Sequence, residues 1–138
     1  MHFRNLPLLL LGVATALPAA PFAEPLVCRL DALTAPQRSR QKLLADRLKR
    51  AVVERAELPD GYSLTLDLGR LPPDVQGLPF CVVEVAEWVD LESRCCPFLD
   101  FGIDVRGGGG IVRLRLTGPE GVKALLAEEF GIKEASRR

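Results

Sequence analysis

ESRCCPFLDFGIDVRGGGGIVRLRLT, residues 92–117, carries the reading on which the fold turns. Pro97 drives the residue before it out of the helical region, so a helix arriving through Glu92 ends at or just before Cys95-Cys96. Leu99, Phe101, Ile103 and Val105 then alternate with Asp100, Gly102 and Asp104, the period of a half-buried strand. Gly107 to Gly110 supply a flexible turn, and Val112, Leu114 and Leu116 alternate with Arg113, Arg115 and Thr117. The segment is therefore read as a helix end, a proline-enforced turn and a β-hairpin. Opposed Asp and Arg residues on the polar face are expected to pair across its strands, each pair contributing about 0.2–1 kcal/mol.

Upstream, Phe80, Val82, Val85, Ala86 and Val89 follow helical spacing, with Glu84, Glu87, Asp90 and Glu92 largely outward, which predicts a helix through about Arg94. Before it, Tyr62, Leu64, Leu66 and Leu68 alternate with Ser63, Thr65 and Asp67 and predict a strand. Pro72, Pro73, Gly77 and Pro79 make the intervening stretch a loop. Thr34 at an N-cap, Pro36 in the first turn and Gln37 at the capping-box position open an earlier helix. Leu43, Leu44, Leu48 and Val52 form its apolar stripe, and the chain then breaks at Leu58-Pro59-Asp60-Gly61. Pro25 to Leu30 is read as a short edge strand. Downstream, Gly118-Pro119-Glu120 opens a last helix carrying Val122, Leu125, Leu126 and Phe130 and ending at Gly131.

The order helix, strand, helix, hairpin, helix predicts a single two-layer α+β domain, a small and mostly antiparallel sheet packed by helices. If the strands at Tyr62 and Leu99 share that sheet, the unit between them is parallel and right-handed.

The chain of 138 residues is 48% hydrophobic and 26% charged, the balance of one globular domain rather than a disordered chain. Its 18 basic and 18 acidic residues cancel and are dispersed, so no net field recruits nucleic acid or an anionic membrane. Residues 1–23 have Arg4, an apolar run from Leu6 to Leu17, then small residues and prolines, the pattern of a secretory signal peptide. The run falls short of the ~20 residues that span a bilayer, so no stable membrane anchor is expected. The domain is accordingly assigned to residues 24–138, with a periplasmic or secreted destination. There disulfides are permitted, and Cys28, Cys81, Cys95 and Cys96 allow three complete pairings among which sequence does not choose.

The chain has no HExxH, no phosphate-binding glycine loop and no serine triad pattern. Its one histidine, His2, leaves with the leader, so a metal site must use sulfur and carboxylate, and a histidine base for a cysteine nucleophile is missing. In a continuous helix from Phe80 to Arg94, Cys81 lies about 21 Å from Cys95 along the axis, too far for a disulfide. Buried packing or a bond to Cys28 is left for it. Glu92, three residues before Cys95 and four before Cys96, lies on the same helical side as the pair. It offers a further ligand or a proton acceptor, and a solvated acid near a helix end reads the same way. The cysteines occupy the negative end of the helix dipole, which opposes thiolate reactivity.

Leu58-Pro59-Asp60-Gly61-Tyr62, Glu92-Ser93-Arg94-Cys95-Cys96-Pro97-Phe98 and Leu116-Thr117-Gly118-Pro119-Glu120-Gly121 together resemble a group of small bacterial proteins with a Glu-x-x-Cys-Cys-Pro-Phe signature. The resemblance runs from about Cys28 to the C-terminus. It supports the domain boundary and the focus on the paired cysteines, and implies no chemistry of its own.

Three roles fit the pair. The leading expectation is binding of a soft metal or metalloid ion, such as Hg(II), Cu(I) or As(III), by Cys95 and Cys96 with Glu92 and Cys28 completing the set. The second is thiol-disulfide or peroxide redox catalysis at the same pair. The third is a structural or interaction protein whose cysteines are packed in the core or stapled.

Overall fold

The structure is a computed structural model and describes residues 25–133. The expected leader, residues 1–23, lies outside the described residues.

Thr34 begins the ordered helix layer as the sequence predicts. Its side chain accepts from the Gln37 amide while the Gln37 side chain accepts from the Thr34 amide, a reciprocal cap that satisfies two otherwise orphaned donors. Helix α1, Ala35–Ala51, follows and buries Leu44, Leu48 and Ala51. Leu43 departs from the expected stripe and stays exposed.

Strand β1, Val52–Leu58, starts with no intervening loop. The sequence reading missed this strand because Val52 continues the helical spacing of Leu48. The β-branched Val52-Val53 pair is the local signal that favours extension instead. Residues Val53 to Glu57 of β1 are exposed, so no burial alternation marks it. Strand β2, Gly61–Asp67, pairs with it antiparallel across the two-residue turn Pro59-Asp60.

The remaining elements follow the expected order: α2 (Val82–Cys95), β3 (Asp100–Arg106), β4 (Ile111–Thr117) and α3 (Val122–Glu129). The sheet order is β1-β2-β4-β3, with every neighbouring pair antiparallel. β2 and β3 therefore run parallel to each other within one sheet, as the strand-helix-strand reading required, but β4 lies between them. Pro25 to Leu30 forms no strand. Its backbone runs irregularly into a short 3-10 turn, Leu30–Ala32, because its hydrogen bonds go to the end of a helix rather than to a sheet edge.

One face of the sheet makes the core. Tyr62, Leu64 and Leu66 of β2 stand opposite Leu116, Leu114 and Val112 of β4, and all six are buried. Leu44 and Leu48 of α1, Val85, Trp88, Leu91 and Cys95 of α2, and Val122 and Leu126 of α3 complete the same apolar cluster. Burial of this kind contributes about 25 cal/mol per Å² of apolar surface. Trp88 meets Phe101 edge to face, ring centroids 6.0 Å apart, which ties α2 to β3. Buried Arg47 on α1 contacts Glu84 at 3.1 Å and Asp74 at 3.7 Å and lies over the Phe80 ring, so the loop before α2 is drawn onto the helices. On the opposite sheet face, the expected cross-strand Asp–Arg pairing is replaced by a local one. Asp104 stands opposite Arg113 in register, yet its carboxylate is held by Arg106, two residues along its own strand.

Gly61 is required by a close approach. A side-chain carbon there would lie 1.9 Å from the Leu116 carbonyl oxygen of β4. Gly61→Ala must therefore push two central strands apart, and the expected cost is about 1–3 kcal/mol or more of unfolding free energy. Urea denaturation checks this, with a midpoint equal to wild type as the contrary result.

Candidate functional site: a buried sulfur cluster

The site grows from the way α2 ends. Cys96 leaves the helical region at φ −118° and ψ 74° under the influence of Pro97, and its amide still closes on the Glu92 carbonyl at 2.7 Å. A helix terminus leaves carbonyls without partners inside the helix. The Cys95 carbonyl receives its donor from a distant segment, the Arg29 amide, at 2.6 Å. The guanidinium of Arg38 on α1 steadies that segment by donating to the Leu33 carbonyl at 2.6 Å and the Leu30 carbonyl at 3.2 Å.

Cys28, the residue before Arg29, is thereby set against the end of α2. Its α-carbon lies 4.7 Å from that of Cys96, and the two sulfurs are at disulfide-bonding distance. Cys95 carries a free thiol beside them. The sulfurs of Cys28, Cys95 and Cys96 all lie within 4.8 Å of one another, with Cys95 and Cys96 buried and Cys28 exposed. Two of the sulfurs thus belong to the core, and the third lies at the surface.

Glu92 stands on the expected side of the helix but outside this group of mutually close ligand atoms. Its carboxylate accepts a hydrogen bond from the Gln41 amide at 2.6 Å. Burial raises the Glu92 pKa above the ordinary carboxylate range. The Gln41 bond opposes that shift, Glu129 adds to it and Lys49 opposes it. Burial likewise pushes the Cys95 thiol up, with the negative charges of Glu92 and Asp31 adding to the effect and a hydrogen bond from Gln41 opposing it. Gln41 therefore serves both groups from α1. The sequence reading passed over it, since one glutamine among arginines and lysines looks like a solvated helix face.

Cys81 occupies the other end of α2, where it precedes the first helical residue. The distance argument against its pairing with Cys95 or Cys96 agrees with its free thiol. The expectation of buried packing fails, because Cys81 is exposed at a cavity of about 410 Å³ also lined by Arg40, Asp74, Glu84 and Glu87.

The electrostatics oppose a thiolate at Cys95, so Cys95 lacks the lowered pKa of a free-standing nucleophilic cysteine. Comparison with protein-family models, curated proteins and solved structures finds no match for this chain.

The raised Glu92 pKa has a definite sign. A carboxyl that is protonated more readily when folded contributes stability below its unfolded pKa and loses that contribution as pH rises through the folded value. Glu92→Gln keeps an acceptor for Gln41 and removes the buried charge. The variant should be more stable than wild type at neutral pH, with the difference shrinking as pH falls through the carboxylate range. The midpoint of Cys95 thiolate formation, read by ultraviolet absorbance, should also fall. Unchanged stability and an unchanged thiol midpoint would contradict the placement of Glu92 charge beside Cys95.

Proposed function

We propose that the protein binds a soft thiophilic metal or metalloid ion, with Cys28, Cys95 and Cys96 as its sulfur ligands. The observation that carries this reading is the mutual proximity of the three sulfurs, all within 4.8 Å although Cys28 is 68 residues from Cys96 in sequence. Three thiolates suit an ion that prefers three soft donors, and As(III) is the representative of that class. Arsenous acid, As(OH)3, condenses with three thiols to give three As–S bonds and three waters, with no change of oxidation state. Zn(II) fits less well, since a structural zinc site wants four ligands. Glu92 and Gln41 act from behind Cys95, tuning the thiol that must lose its proton on binding.

Binding requires the reduced form. A Cys28–Cys96 disulfide must first be reduced by an external dithiol, which gives up two electrons and two protons and leaves as its own disulfide, and while oxidised it withholds two of the three donors. We place the protein outside the cytosol, in a periplasmic or secreted setting, on the support of the leader pattern in residues 1–23. A disulfide-compatible cysteine pair agrees with that placement. Among the described residues no helix is long and apolar enough to cross a membrane.

A second reading rests on the free Cys95 thiol next to the Cys28–Cys96 pair. Attack of Cys95 thiolate on the Cys96 sulfur would form Cys95–Cys96 and expel Cys28 as an exposed thiolate, an internal exchange needing no outside electrons. The raised Cys95 pKa slows this route and ranks it below ion binding.

Titration of the reduced protein with arsenite, followed by intact mass and free-thiol count, tests the proposal. The expected result is one arsenic per chain with loss of three titratable thiols, and no uptake by the oxidised protein. Cys28→Ser and Cys95→Ser should each weaken binding by at least about tenfold, or 1.4 kcal/mol, while Cys81→Ser leaves it unchanged. No uptake by a fully reduced, folded wild type would overturn the reading.

A further inference from the structure

We propose that β3 is a dimerisation edge, and that two copies of this chain join by antiparallel pairing of β3 with β3 about a two-fold axis at Ile103. Among the described residues β3 is hydrogen-bonded to β4 alone, so its outer side presents unpaired backbone donors and acceptors. Such an edge is a template for another strand unless it is guarded by prolines, charged side chains (lysine above all), a bulge or a covering element. The sequence DFGIDVR has no proline or lysine, and its pairing with β4 runs for seven residues without a register shift. The opposite edge is different. β1 has a register irregularity between Val52 and Glu54.

Charge complementarity together with overlap of the whole strand selects a second copy as the occupant and the axis at Ile103, since an axis at Val105 or Phe101 also brings opposite charges together but overlaps only one end of β3. With the axis at Ile103, Asp100 stands opposite Arg106 of the second copy, twice by symmetry. Asp104 stands opposite Gly102, and the Arg115 guanidinium already covers Gly102, where a side-chain carbon would lie 2.7 Å from Arg115 Nη2. Asp104 of each copy therefore meets Arg115 of the other. Moving the axis to Gly102 sets Asp100 against Asp104, and moving it to Asp104 sets Asp104 against itself. In-register parallel pairing sets every charge against its own kind. Like charges directly opposite one another are unfavourable, so these alternatives are disfavoured together.

The other face of the same register is apolar. Phe101 meets Val105 and Ile103 meets Ile103, and the exposures of Ile103 (37%) and Val105 (46%) in the single chain give the pairing apolar surface to bury. The exposed Arg106–Asp104 ion pair of the single chain is the contact exchanged, and a surface pair of that kind opposes the exchange only weakly. The resulting interface is isologous and closes at two copies, giving one continuous eight-stranded sheet from two four-stranded ones.

Sedimentation equilibrium of the full chain tests this, in a Cys81→Ser background that removes disulfide dimers through the exposed thiol. The expected result is a reversible dimer. Arg106→Asp, which opposes two acids at each end of the pairing, should weaken it at least about tenfold. The exchanged variant Asp100→Arg/Arg106→Asp should restore it, with circular dichroism confirming that each variant is folded. A monomeric parent, a dimer indifferent to Arg106→Asp, or a failure of the exchanged variant to restore association would each overturn the proposal.

Discussion

A main-chain hydrogen bond from the Arg29 amide to the Cys95 carbonyl at 2.6 Å brings the Cys28 segment to the candidate site, beside the Cys28–Cys96 sulfur contact. It forms because Pro97 forbids α2 to continue and leaves carbonyls at its end in search of donors. The segment that answers lies far away in sequence and carries Cys28 immediately before Arg29. Satisfying the backbone of the helix end and assembling the sulfur cluster are thus the same event. Arg38, anchored on the capped helix α1, holds the incoming segment by its Leu30 and Leu33 carbonyls. The chain that supplies the third thiol is therefore positioned by the helix layer.

Burial sets the chemical character of that cluster. Cys95 and Cys96 lie in the main apolar core with Leu91 and Leu99, where an unpartnered charge is costly. Glu92 behind Cys95 makes a thiolate less favourable still, and Gln41 partly compensates from α1. These influences run opposite to those that activate a catalytic cysteine at a helix N-terminus. They suit the proposed role, in which the Cys95 thiol stays protonated until a soft electrophilic ion replaces the proton. In the proposed role the exposed Cys28, once reduced, offers such an ion a sulfur at the surface and the buried pair completes the set.

Much of the fold was legible because its signals are local. The Thr34–Gln37 cap, the alternation in β2, the glycine-linked hairpin and the proline that ends α2 each depend on a few adjacent residues, and each stands where the sequence put it. β1 was not legible, since Val52 fits both the helical stripe behind it and the strand ahead, and a mostly exposed strand leaves no periodic trace. The Cys95-Cys96 junction was visible for the same local reason. Cys28 was named as a candidate ligand, but its approach to the pair depends on a tertiary contact through a backbone carbonyl, and the Gln41 neighbour was hidden because it acts across a helix pair. Cys81 shows the converse, as its apolar neighbours in sequence gave no sign that the position before α2 faces solvent.

X-ray absorption at the arsenic edge, on reduced protein loaded with one equivalent of arsenite, tests the central claim most directly. A first shell of three sulfurs and no oxygen is the predicted result. A shell that retains oxygen, or one that is unchanged when Cys28 is replaced by serine, would contradict the three-thiol site.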